Sequence, residues 1–174
     1  MAAKESALGL KKIEIADVVA SGLPSVWTEL EDVKIGTASL VETEASTQNI
    51  FIEQSMDVYR NIVTEPGVTT LAFELYDVSP ANLALLKGGT ASAASSSANS
   101  KWKKGDTISM QKAVKVTTLD DQVITLPNGS LIANINWVLT KGDLATIAVT
   151  VTAQKPLDST LSAIEIEAND KLPA

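Results

Sequence analysis

The chain has 174 residues, a formal net charge of −7 and a hydrophobic fraction of 45%, which is enough apolar material for one domain with its own core. Cysteine and histidine are both absent, so disulfides, thiolate chemistry and metal sites or acid–base schemes that need imidazole are excluded. Because its net charge is negative and it has a single arginine, Arg60, the chain is a poor candidate for binding nucleic acid.

No targeting or membrane-spanning segment is predicted. Residues 1–19 lack the continuous apolar stretch of a secretory signal, and no apolar run approaches the length of a transmembrane helix. We therefore expect a chain that folds in a cytoplasm and has no membrane partner.

The first predicted elements are a loose arm over residues 1–10 and a strand over residues 11–19. In that strand Ile13 and Ile15 alternate with charged residues. Trp27 then lies in an acidic connector, where we interpret it as a packing anchor, with a partner contact as the alternative.

A long β-hairpin is predicted over residues 33–54, with its turn at Ser46-Thr47. Its strands are rich in Thr, Ser and Glu and show little preference for one apolar face. A ribbon of this kind specifies its register weakly, so we expect a neighbouring chain or sheet to order it. A further short strand over residues 58–64 ends at a Pro-Gly turn.

A half-buried strand over residues 68–76 leads directly into a short helix over residues 79–88. Ser79 is a good N-cap, Pro80 suits the first helical position, and Gly88 supplies the stop. Because so short a helix is marginal in isolation, its apolar side must dock on the β structure.

The Ser- and Ala-rich residues 88–100 are predicted to form a flexible loop, because they cannot bury enough apolar surface to offset the entropy of ordering. Trp102 follows among three lysines. We interpret it as an anchor where the chain re-enters the fold, with a basic, aromatic nucleic-acid contact as the alternative.

Apolar and polar residues alternate more clearly in the second half of the chain. Strands are predicted over residues 107–118, 131–140 and 145–152, with turns at Pro127-Asn128-Gly129 and Lys141-Gly142-Asp143. An acidic arm over residues 157–174 carries one edge strand around Ile164 and Ile166. The predicted fold class is mainly β: a single domain over residues 1–174, built as a β-sandwich or open barrel with one short inserted α-helix.

No signature of an established catalytic chemistry is present. Asp120-Asp121 is interpreted as a turn, with a calcium site as the alternative, because no ladder of further oxygen ligands surrounds it. Glu42 and Glu44 are paired carboxylates of the kind that glycosidases use, but few aromatic residues are available to form a sugar platform. We expect a protein that is not an enzyme and has no cofactor and no metal.

Two adjoining stretches resemble the phage tail tube (major tail) protein family. They are ELYDVSPANLALLKGG and the preceding DVKIGTASLVETEAS…IFIEQSMDVYRNIVTEPGVTTLAF, so the resemblance covers roughly residues 30–90. It implies a β-sandwich with a helix that assembles as homohexameric rings, stacked into a tube in the virion tail. It also implies synthesis in the host cytoplasm and, as partners, the tape measure, tail terminator and baseplate or tip proteins.

In that family DNA passes through a lumen lined by four strands from each subunit, without specific binding. The resemblance and the strand pattern together assign lumen-lining side chains to Thr37, Ser39, Glu42, Glu44, Asn134, Asn136, Thr146 and Thr150. An acidic or neutral polar lumen lets phosphates pass where lysines would hold them. Contacts between subunits or rings are assigned to Ala45, Ser46, Thr47, Gln48, Met56, Asp57, Tyr59 and Arg60, together with the termini.

Two other classes of protein remain open on the sequence. A small carbohydrate- or ligand-binding sandwich requires an exposed aromatic platform, which depends on where Trp27 and Trp102 point. A pilin-like surface protein requires a secretion signal or donor-strand features, and neither is found.

Overall fold

The computed structural model describes residues 7–168. That range contains twelve strands and one helix, namely Lys12–Asp17 (β1), Thr28–Leu30 (β2), Ser39–Glu42 (β3), Ser46–Ile52 (β4), Ser55–Glu65 (β5), Thr69–Leu75 (β6), Pro80–Lys87 (α1), Thr90–Ser92 (β7), Lys101–Lys103 (β8), Met110–Thr117 (β9), Val123–Asn136 (β10), Thr146–Ala153 (β11) and Glu165–Glu167 (β12). The predicted fold class, mainly β with one short helix, is confirmed.

The main sheet has the strand order β2-β1-β9-β10-β11-β6-β3, with β12 also on β10, and every pairing is antiparallel. The long strand β10 joins two layers. Its residues 123–125 pair with β12, its residues 123–126 and 129–131 pair with β9, and its residues 129–136 pair with β11. We call β2, β1, β9, β12 and the start of β10 the first layer. Residues 129–136 with β11, β6 and β3 form the second layer.

The core lies between these layers and is aliphatic. It takes Ile13 and Ile15 from β1, and every second residue of β9, β11 and β6 is buried with them. This period of two is the alternation that the sequence shows. The helix contributes Leu83 and Leu86 to the same cluster, so a segment too short to be stable alone is held by burial.

The helix begins and ends where the sequence predicts. The Ser79 side chain caps the first turn by accepting the N–H of Asn82 at 3.3 Å. Gly88 has a φ of 72° and closes the last turn, a conformation that glycine adopts without strain. Lys87 in the last turn donates from Nζ to the carbonyl of Ala133 on β10, at 2.6 Å, and this fastens the helix to the sheet.

The predicted hairpin over residues 33–54 is wrong in its bounds. β3 pairs with β6 in the main sheet, and the predicted turn at Ser46-Thr47 lies at the start of β4. The observed hairpin runs over residues 46–65, pairs β4 with β5, and turns at Glu53-Gln54. Ser-Thr pairs are common in turns, but a β-branched threonine also suits a strand, so composition alone did not locate the turn.

The predicted turn at Pro127-Asn128-Gly129 is also wrong. These residues form a bulge inside β10, where the register against β9 shifts between Leu126 and Gly129. The side-chain amide of Asn128 donates to the carbonyl of Lys155 at 2.9 Å. A Cβ on Gly129 would lie 2.4 Å from a methyl carbon of Val151, so close packing rather than a turn requires glycine here.

The segment predicted as a flexible loop, residues 88–100, begins instead with β7, which pairs with β8 across a short hairpin. Of the two predicted loose arms, residues 1–6 and 169–174 lie outside the described range. The described parts are tied down, because Leu8 accepts the N–H of Leu119 and β12 pairs with β10. The edge strand expected near Ile166 is therefore confirmed.

Asp158 fastens the C-terminal segment to the loop after β1. Its carboxylate accepts the backbone N–H of Thr160 at 2.9 Å and that of Gly22 at 2.7 Å. These hydrogen bonds favour the charged form and lower the pKa of Asp158 to about 2. No helix in residues 7–168 is long and apolar enough to cross a membrane.

Candidate functional site

The hairpin of β4 and β5, which we call the ribbon, is the least covered part of the fold. Of its residues 46–65, only Ile62 is even half-buried. Pairing places Asn49 opposite Asn61 and Ile50 opposite Arg60, and the Asn61 amide donates to the Asn49 side-chain oxygen at 2.6 Å. The ribbon is therefore internally paired, while both of its faces are open.

Several exposed side chains near the tip of the ribbon are large and apolar, and they stand among polar residues such as Glu53 and Asp57. Phe51 is 57% exposed, Tyr59 68% and Met56 99%, and Ile52 and Val58 lie beside them in the same strands. A two-stranded hairpin is at best marginally stable alone in water, and a clustered apolar surface marks an interaction site. The expectation of an uncovered hairpin over residues 33–54 thus holds only for residues 46–54, since β3 pairs within the main sheet, and the uncovered part also carries large apolar residues where polar ones were expected.

All eight residues predicted to make contacts between subunits lie in or beside the ribbon, and all are exposed. Ala45 precedes β4, which holds Ser46, Thr47 and Gln48. The remaining four, Met56, Asp57, Tyr59 and Arg60, lie on β5. The structure places residues 46–48 at the base of the ribbon, opposite residues 62–65, and residues 56–60 nearer its tip. Their role as contacts stays a prediction.

The second layer has an outward face that is mostly small and polar, which we call the polar face. Register defines three rows across its strands: Ser130, Thr152, Thr70 and Val41; Ile132, Thr150, Ala72 and Ser39; Asn134, Ala148 and Glu74. The one acid in these rows, Glu74, accepts a hydrogen bond from Lys34 at 3.1 Å. This hydrogen bond raises the pKa of Lys34, so the pair is charged but neutral in sum.

Four of the predicted lumen residues share the polar face by register, namely Ser39, Asn134, Asn136 and Thr150. Two predictions are wrong on geometry. Glu42 lies on the opposite face of β3 from Ser39, since the two positions are three apart in a strand whose side chains alternate between faces. Thr146 is only 2% exposed, and its hydroxyl donates to the carbonyl of Asn136 at 3.4 Å, so its side chain faces no open space.

The other two predicted lumen residues lie outside the strands. Thr37, which precedes β3, donates from its hydroxyl to the Lys34 carbonyl at 2.7 Å and accepts the N–H of Glu74 at 3.0 Å. It therefore has a local structural role. Glu44 is exposed in the connection between β3 and β4.

One exposed surface was missed in the sequence. β10 ends at Asn136 and β11 begins at Thr146, so residues 137–145, which we call the Trp137 loop, form a long connection where a strand and a tight turn were predicted. It exposes Trp137, Val138, Leu139 and Leu144. The signal was present as three consecutive apolar residues at 137–139, which break the alternation of a half-buried strand.

The ribbon and the Trp137 loop lie at opposite ends of the second layer. At one end Glu42, four residues before the ribbon, pairs with Thr69. At the other end Asn136, which immediately precedes the Trp137 loop, pairs with Thr146. The strands of this layer run between the two ends, so the two apolar surfaces adjoin opposite ends of the layer.

The other aromatic candidates are structural. Trp27 is half-buried, with Lys115 Nζ 4.5 Å from its ring centre, and Trp102 donates from its ring nitrogen to the Gly88 carbonyl at 2.8 Å. Lys115 also pairs with Glu14 at 3.2 Å. Burial alone would raise the pKa of Glu14, but hydrogen bonds from Lys12 and Lys115 outweigh it and lower that pKa.

The described residues offer no site for a metal. Among residues 7–168, no three His, Cys, Asp or Glu side chains are grouped so that they could hold an ion. Asp121 donates its N–H to the Thr118 carbonyl at 3.0 Å and has a φ of 60°, which agrees with its interpretation as a turn residue.

No protein-family model matches the chain, and no curated protein matches it. Among solved structures, the chain is similar to one from the cryo-EM structure of the anti-feeding prophage (AFP) baseplate, 6-fold symmetrised. The TM-score is 0.47 at 9% identity, over 98% of this chain and 100% of that chain. A TM-score below 0.5 at this identity does not establish membership of a family.

Proposed function

We propose that the chain is a structural subunit of a phage tail tube, which assembles from copies of itself as stacked hexameric rings in the virion tail. The observation that carries the proposal is the ribbon, a two-stranded sheet with apolar side chains and no cover from the described part of the chain. Because such a sheet is marginal in water, a second copy that covers it explains its sequence. The resemblance of residues 30–90 to tail tube proteins supports the same function.

The second layer supplies a route to a closed ring. β3 is an edge strand, since it pairs with no described strand except β6, and open edges invite uncontrolled pairing unless they are covered. The layer has four strands of alternating direction. If β3 of one copy lies beside the β10 side of the next, the antiparallel order continues from copy to copy. A head-to-tail contact of this kind forms a ring when its rotation closes.

Strand spacing favours six copies over four. Neighbouring strands lie about 4.8 Å apart, so a barrel of roughly 24 strands has a backbone diameter of about 37 Å, before strand tilt widens it. Four copies would give roughly 24 Å. The inward side chains would narrow that smaller barrel too far for duplex DNA, whereas the larger one leaves an open channel.

In this proposal the polar face lines the lumen. Its side chains are mostly small, and the Glu74–Lys34 pair leaves its rows without net charge. A surface without excess lysine or arginine does not bind phosphates strongly, so DNA can pass along it without specific binding. The proposed role is structural and not catalytic, and the proposed partners besides other copies are the tape measure, terminator and baseplate or tip proteins.

The test is the assembly state of the purified chain. We expect light scattering after size-exclusion chromatography to show a concentration-dependent shift to a hexamer or larger species, and negative-stain images to show rings or tubes. A protein that remains monomeric across concentration and salt, with images free of rings, would contradict the proposal.

A further inference from the structure

The two apolar surfaces at the ends of the second layer suggest how rings would stack. The ribbon exposes Phe51, Met56 and Tyr59 at one end, and the Trp137 loop exposes Leu139 and Leu144 at the other. Both surfaces are uncovered within residues 7–168, and they adjoin opposite ends of the strands of the second layer. Identical copies arranged end to end would bring one surface against the other.

We propose that the ribbon of one copy docks on the Trp137 loop of a copy in the adjacent ring. The inference rests on the tail tube function proposed above and names the contact that joins successive rings. The occupant of each surface is thus a second copy of this chain. Because the two partners are different surfaces, the contact is head-to-tail and repeats without limit along an axis.

Charge agrees with this pairing. The tip of the ribbon carries Glu53 and Asp57, and both are exposed. The apex of the Trp137 loop carries an exposed Lys141 and, two residues on, the acid Asp143, which accepts the N–H of Leu144 at 2.8 Å and whose charge acts on Lys34. A pairing of Glu53 or Asp57 with Lys141 would set the register of the apolar contact, whereas the tip acids Glu53 and Asp57 of two ribbons would repel each other.

A contact of ribbon with loop also explains why the two surfaces differ in form. The ribbon is a projecting, rigidly paired element with aromatic and thioether side chains, which suits a protrusion. The loop is a broader turn that presents branched aliphatic side chains and one indole. Aromatic anchors that enter an aliphatic surface are the common composition of strong contacts between proteins.

Cross-linking between copies tests the contact. Because the chain has no cysteine, an introduced cysteine is the only thiol that can react. Val58→Cys and Leu139→Cys are prepared as single variants, both at exposed positions. They are mixed as free subunits, brought to assembly conditions together and then treated with a short bis-maleimide. We expect the mixed dimer to form roughly tenfold faster than in a matched mixture of Val58→Cys with Ile108→Cys, because a held contact raises the effective concentration.

Ile108 is the matched control because it is 85% exposed, against 86% for Leu139, and lies on neither surface.

The same positions serve a second measurement. Leu139→Asp should leave folded subunits that form single rings but no stacks, whereas Ile108→Asp should stack as the natural chain does. Circular dichroism confirms that both variants are folded.

The outcomes separate this contact from the tube itself. Stacked tubes from the natural chain together with equal cross-linking of the two mixtures, or with normal stacking of Leu139→Asp, would overturn the ribbon-to-loop contact and leave the tube intact. Preferential cross-linking of Leu139→Cys with itself would also overturn it, because that pairing is symmetric. A natural chain that forms no rings at all would overturn both proposals.

Discussion

Removing the aromatic side chains of the ribbon should abolish assembly without unfolding the subunit. The double variant Phe51→Ser/Tyr59→Ser truncates two side chains that are 57% and 68% exposed in the single chain. Substitutions of exposed residues usually change folding stability by no more than about 0.5 kcal/mol each. The unfolding midpoint in urea should therefore stay close to that of the natural chain.

The same truncation should be costly in the assembled state. Burying a large apolar side chain contributes about 1.5–3 kcal/mol, so two covered aromatics contribute about 3–6 kcal/mol to one contact between copies. This corresponds to a weakening of that contact by roughly a hundredfold to more than ten-thousandfold. Because the contact repeats along a tube, a loss of this size should shift the population entirely to free subunits or single rings.

Leu86→Ala supplies the opposite control. Leu86 is buried between the helix and the sheet, and its truncation should lower the free energy of unfolding by about 2–5 kcal/mol while the ribbon surface is unchanged. Urea titration followed by intrinsic tryptophan fluorescence measures stability, and light scattering with negative stain measures assembly. The reasoning would be refuted if the ribbon variant unfolded as readily as Leu86→Ala, or if it formed tubes of normal length.

Three further predictions concern other parts of the fold. Asn134→Lys/Thr150→Lys places two cations on the polar face, so tubes should still form but DNA ejection from particles should slow, as measured by dye release; normal ejection would argue against that face as the lumen. The pKa of Asp158, held near 2 by backbone N–H donors, predicts stabilisation that is present above the ordinary pKa of 3.8 and is lost as the pH falls from there towards 2. In Asp158→Asn the urea midpoint should therefore fall less steeply over that pH range. A pH dependence equal to that of the natural chain would contradict the assignment of this stabilisation to Asp158. Gly129→Ala brings a Cβ to 2.4 Å from Val151 and should destabilise the subunit by about 1–3 kcal/mol in thermal unfolding; an unchanged midpoint would show that β10 yields there.

The parts of the fold that the sequence predicted well are those with a strong local pattern. Ser79, Pro80 and Gly88 each have one favoured place in a helix, and the structure puts all three there. The apolar residues that the alternation assigns to the core in β9 and β11, such as Val114, Val116 and Val149, are buried there, although Ala113, Thr117 and Thr146 on the other face are buried as well. In these segments the local preference and the packing of the whole domain agree.

The errors lie where the deciding contact is distant in sequence. Pro127-Asn128-Gly129 has the composition of a turn, but Val151 and the carbonyl of Lys155 hold it as a bulge within β10. Glu42 was grouped with Ser39 because the start of β3 was not visible in a run of Ser, Thr and Glu, and an error in strand phase moves a side chain to the other face.

The candidate surfaces were predicted only in part, again because contacts distant in sequence decide the rest. That residues 46–65 lack cover follows from their weak pattern, but their pairing into one ribbon depends on the turn at Glu53-Gln54, which carries neither glycine nor proline. The Trp137 loop was hidden because alternation up to Asn136 suggested that the strand continued. Only the end of pairing between β10 and β11 shows that Trp137, Val138 and Leu139 are exposed.

Cryo-EM of the assembled natural chain at a resolution that separates strands would test directly whether the second layer lines a channel. We predict six-fold rings in which residues 129–136, β11, β6 and β3 of each copy face the axis, with Asn134 and Thr150 pointing into the lumen. Rings in which the first layer faces the axis, or assemblies with no axial channel, would contradict it.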